Sequence, residues 1–88
     1  MSGALACGEE AETVRRELAQ LRQAIVKALR KRFERAVQDG DLPARTDCAT
    51  LARYTATVLN GLAVQSASGA TEKELRLVSA LAMQAWPS

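Results

Sequence analysis

The stretch that decides the fold is Asp39–Leu75, DGDLPARTDCATLARYTATVLNGLAVQSASGATEKEL. It holds a helix stop, a spacer, a whole helix, a tight turn and the start of another helix. Gly40 supplies a left-handed cap, Leu42 folds back on the preceding turn, and Pro43 forbids continuation. Asp47 is the N-cap of a helix expected over about 48–67. Its larger residues, Leu51, Tyr54, Val58 and Leu62, share one stripe, with Leu59 and Ala63 on a neighbouring one. The rest are small, and Gly61 in mid-helix costs about 1 kcal/mol relative to Ala. That cost points to the close approach of another backbone. Gly69 ends the helix, and Thr71 with Glu74 forms a T-x-x-E capping box that opens a third, expected over about 72–86. Leu75, Leu77, Val78, Leu81, Ala82, Ala85 and Trp86 make that helix apolar over more than half its circumference, and Pro87 stops it. Ser68-Gly69-Ala70 is so short that the two helices must be antiparallel neighbours.

Upstream, Val14, Leu18, Leu21, Ile25, Leu29, Phe33 and Val37 follow one another at three or four residues, which is a single helical stripe. This first helix is expected over about 10–39, with Glu9, Glu10 and Glu12 at its positive end and Lys31, Arg32 and Arg35 toward its negative end. Residues 1–8 read either as a tail or as the last turns of an earlier helix broken at Gly8. No strand pattern, repeat or low-complexity segment is present. The expected fold is all-α: three antiparallel helices, the last two forming a four-helix bundle with a second copy.

The composition agrees. Residues of the hydrophobic class are 48% of the 88, yet aromatics are only 3%, so the core must be built from Ala, Leu and Val. A chain this short buries about 60–65% of its unfolded surface, and small side chains bury little area each. Two wide apolar faces on the second and third helices exceed what one companion helix can cover. A second copy is therefore expected to meet them through Leu51, Thr55, Val58, Leu59, Gly61, Leu62, Leu75, Val78, Leu81, Ala82 and Ala85.

Chemistry is sparse. The chain has no histidine, no nucleophile elbow and no phosphate loop, and its carboxylates cluster at helix starts (Glu9, Glu10, Glu12, Glu72, Glu74) or in the turn (Asp39, Asp41, Asp47). No enzyme active site, cofactor or metal is expected. Cys7 and Cys48 form no metal motif and read as two free thiols. The net charge of +2 is weak, and Lys27, Arg30, Lys31, Arg32 and Arg35 read as a solvated face with no aromatic residues between them to stack on bases. No run is long enough to span a membrane, and the N-terminus lacks the features of a signal peptide. A cytoplasmic location is expected. An apolar pocket for a small hydrophobic effector is conceivable between Leu21, Ile25 and Leu29 of the first helix and Tyr54 of the second, with the Tyr54 hydroxyl to orient it. Plain core packing of these residues is the competing reading.

DGDLP, LARY followed by LNGLAVQ, and SGATEKEL resemble the C-terminal regulatory region of TetR-family transcriptional regulators. ALACGEEAETVRRELAQL is similar, more loosely, to the stretch leading into the long helix before that region. The resemblance covers essentially the whole chain. It implies a homodimer through the second and third helices and a hydrophobic effector bound in the C-terminal domain. It also implies a repressor that touches DNA only through an N-terminal helix-turn-helix domain. That domain, and most helices that would wall the effector pocket, have no counterpart here, so Met1 is expected to be an internal start. The alternative is a free-standing helical adaptor that presents the same apolar face to a different protein.

Overall fold

A computed structural model describes residues 2–87, with side chains from residue 8 onward; the Cys7 thiol lies outside the described side chains. Three helices follow one another: α1 (Ser2–Gln38), α2 (Cys48–Ala67) and α3 (Glu72–Met83). No strand occurs among the described residues.

The two corners are built by the same device. After α1, the Asp41 N–H donates to the Ala36 carbonyl (2.8 Å) and the Gly40 N–H to Val37 (3.1 Å). After α2, the Ala70 N–H donates to Gln65 (3.0 Å) and the Gly69 N–H to Ser66 (3.2 Å). Each pair is a Schellman motif, which takes up carbonyls the helix end leaves free. The motif needs a left-handed residue, and Gly40 (φ 81°) and Gly69 (φ 98°) provide it. Leu42 then folds back and is buried, as its place after the cap suggests.

The helix starts are equally local. Asp47 caps α2: its carboxylate accepts the Thr50 N–H (3.1 Å) and the Thr50 hydroxyl (2.6 Å). At α3 the Thr71 hydroxyl accepts the Glu74 N–H (3.1 Å) and the Glu74 carboxylate accepts the Thr71 N–H (2.9 Å), which completes the capping box. Thr71→Ala is expected to cost about 1 kcal/mol, read as a lower thermal midpoint by circular dichroism.

Two boundaries differ from expectation. α1 begins at Ser2 rather than near residue 10 and runs through Gly8 without a break. One glycine costs about 1 kcal/mol, less than the helix formers around it recover. α3 ends at Met83 rather than near residue 86. There Gln84, Ala85 and Trp86 donate to the carbonyls three residues back. Pro87 disfavours helical geometry at the residue before it, so the last turn tightens into a separate turn.

The helices pack side by side, with α1 and α3 both against α2. Antiparallel pairing is visible at the α2–α3 seam. Tyr54, near the start of α2, donates its hydroxyl to the Ala82 carbonyl near the end of α3 (3.0 Å), and Gln65 and Glu74 share one groove at the other end. Ala52, wholly buried, and Leu51 are the buried residues of α2. Phe33 of α1 meets Trp86 edge-on, ring centres 5.4 Å apart, and closes the end where the helices converge.

The resulting shape is a plate. Its extents are 59 × 31 × 13 Å, and the short one is that of a single helix layer. The radius of gyration is 17.4 Å, against about 12 Å for a compact domain of this length. The accessible surface is 7058 Å², roughly 2,000 Å² above the scaling for a compact protein of this mass. Part of that excess lies on the N-terminal half of α1, which projects beyond α2. Val14 and Leu21 are both more than half exposed there.

Candidate functional site

Recesses flank α2 on both sides, and the 100° step of the helix decides which residues line each. Tyr54, Val58 and Leu62 lie four residues apart and point at α3. Ala52 and Ala56 lie on the opposite flank, toward α1. The pocket expected between Tyr54 and the Leu21–Leu29 stripe is therefore not assembled. The Tyr54 hydroxyl is spent on the end of α3, where it adds a second donor to the Ala82 carbonyl beside the Ala85 N–H. Leu21 is 57% exposed and Ile25 44% exposed, while Leu29 is half-buried. Of the four, only Ile25 lines a recess on the α1–α2 seam.

The α2–α3 seam carries most of the residues expected to meet a second copy. On one side is a groove of about 340 Å³ walled by Val58, Gly61, Leu62, Leu75, Val78 and Ala82. On the other is a shallower one of about 170 Å³, which Thr55 and Leu59 help to line. Val58, Leu62, Leu75, Ala82 and Thr55 are half-buried in the seam, whereas Leu59, Gly61, Val78, Leu81 and Ala85 are exposed. Leu51 is buried within its own chain, where it lines a third recess of about 410 Å³ with Pro43, Tyr54, Ala85 and Pro87. At Gly61 a Cβ would meet nothing within 4 Å. Inside this chain, no backbone approaches the glycine.

The electrostatics are those of capped helix ends. The Asp47 carboxyl is held below its usual range, first by the Thr50 hydroxyl and then by the Thr50 N–H. The Glu74 carboxyl is lowered by the Thr71 N–H and, secondarily, by the Thr71 hydroxyl. Both folded-state values are depressed, so the stabilisation they give is present above the ordinary carboxylate range, about pH 4, and is lost as pH falls through the folded values. Helix content followed by circular dichroism is expected to fall on acidification below about pH 4, and Asp47→Asn with Glu74→Gln should flatten that transition. Cys48 is half-buried and free, its thiol directed at the Thr46 carbonyl (3.7 Å).

Two residues that the sequence reading did not single out, Arg22 and Arg53, flank the α1–α2 recess with Ile25. The sequence did hold a signal. Arg53 is the only charged residue in α2, and neither arginine has an acid three or four places away. No helix among the described residues is long and apolar enough to cross a membrane. Compared with family models, with curated proteins and with solved structures, the chain matches none of them.

Proposed function

We propose that this chain is the dimerisation and ligand-responsive domain of a TetR-like transcriptional repressor, acting on DNA binding by a domain outside it. One observation carries the dimer. The molecule is a plate one helix deep; Val78 and Leu59, which line the open grooves on the two sides of the α2–α3 seam, are more than half exposed, as is Leu81 of α3. A standard interface buries about 800 Å² per partner, which the excess surface can supply. The sequence likeness at LARY, LNGLAVQ and SGATEKEL supports the class of regulator. In such a protein a ligand acts by shifting the population of dimer arrangements and so the spacing of the two DNA-reading domains.

Light scattering coupled to gel filtration, over a range of concentrations, tests this. A mass twice that of the chain is expected throughout the upper range. A monomer at every concentration overturns the dimer and leaves the helical adaptor in its place.

A further inference from the structure

We propose that the recess between α1 and α2 binds a small amphipathic carboxylate, an acid head on an apolar tail. This deepens the ligand-responsive part of the function above by naming the ligand class, and it rests on that part alone.

The recess has a volume of about 370 Å³, within the range of small-molecule sites. Ile25, Val26 and Leu59 give it an apolar floor, and Arg22, Arg53 and Asn60 stand around it. Two arginines from two different helices thus line one apolar recess. The described ion pairs elsewhere all join an arginine to an acid three or four residues away: Arg15 to Glu12, Arg30 to Glu34, Arg35 to Asp39, Arg76 to Glu72. Arg22 has Leu18, Ala19, Ile25 and Val26 at those positions, and Arg53 has Ala49, Thr50, Ala56 and Thr57. The Thr57 hydroxyl, also at the recess, donates to the Arg53 carbonyl (2.7 Å). α2 contains no acid at all.

Two like charges beside an apolar floor repel each other until an anion lies between them. A carboxylate suits the guanidinium fork, which binds it through two parallel N–H···O bonds. The tail then lies along Ile25, Val26 and Leu59. Asn60 offers a further N–H donor. A bare anion gains nothing from the floor, and a neutral chain gains nothing from the arginines. The site therefore selects for molecules carrying both.

The recess lies on the α1–α2 seam, apart from the α2–α3 seam assigned to the second copy, with Leu59 common to the two. Binding and dimerisation can thus fail independently. The test is isothermal titration of the whole chain with octanoate, 1-octanol and acetate, with light scattering on the same samples. Octanoate should bind at least about tenfold more tightly than either control, since hydrogen bonds to a charged group are the stronger kind. Arg22→Gln with Arg53→Gln should remove that advantage and leave helix content unchanged, because both side chains are exposed. Equal affinity for octanoate and octanol, or octanoate binding that survives the double substitution, overturns the proposal. A dimer that ignores octanoate sinks this site alone. A monomer that binds it sinks the dimer alone.

Discussion

Gly61→Glu is expected to turn the proposed dimer into a monomer without unfolding the chain. The two effects separate because of where Gly61 lies. A Cβ there meets nothing within 4 Å, so a side chain is accommodated by the lone protomer. Gly61→Ala should even stabilise that protomer, by up to about 1 kcal/mol, since glycine is the costlier residue in mid-helix. In the proposed dimer the sign reverses. Glycine lets a second helix come close, and a methyl group holds it off. A glutamate goes further, because it places a charge in an apolar seam beside Val58, Leu62 and Val78 with no partner for it. Light scattering should show Gly61→Glu at monomer mass, and thermal denaturation at low concentration should show Gly61→Ala no less stable than the parent. A Gly61→Glu chain that stays dimeric places the interface elsewhere.

The second large effect is on folding. Leu51→Ala is expected to cost about 2–3 kcal/mol, the lower part of the range for burial of this size. Leu51 is 7% exposed and stands where α2, the Pro43–Asp47 connection and the turn after α3 meet. It already borders an open recess. Shortening it enlarges that recess rather than sealing a void, so its neighbours can relax into part of the space. In a chain with so few buried residues that loss is a large share of the total. Chemical denaturation should show the midpoint lowered. A shift of only a few tenths of a kcal/mol would mean that Leu51 is not a core residue.

Much of this architecture is legible in the amino-acid sequence, for a physical reason. The caps at Asp47, Thr71, Gly40 and Gly69 are made by residues within a few positions of one another, so their partners are written in the same short stretch. Boundaries that depend on a balance of propensities were less legible. Gly8 looked like a break but is outweighed by its neighbours, and the end of α3 is set by the residue before Pro87 rather than by the apolar stripe. Periodicity also gives angles around a helix, not the identity of what lies on each flank. It placed Tyr54 on the stripe of Val58 and Leu62, but α3 rather than α1 occupies that side. Nor does it reveal that Arg22 and Arg53, far apart in the chain, stand over one recess.

Because the molecule is one helix thick, α2 serves as the shared wall of both recess and seam, and Leu59 is exposed to each. If the proposed ligand occupies one flank and the proposed second copy the other, Leu59 gives the two events a shared contact. Whatever factor a bound ligand applies to the pairing equilibrium, pairing applies in return to the ligand's affinity. A thicker molecule would need a relay of side chains to connect two such events. Here any such coupling would have only the width of a single rod to cross.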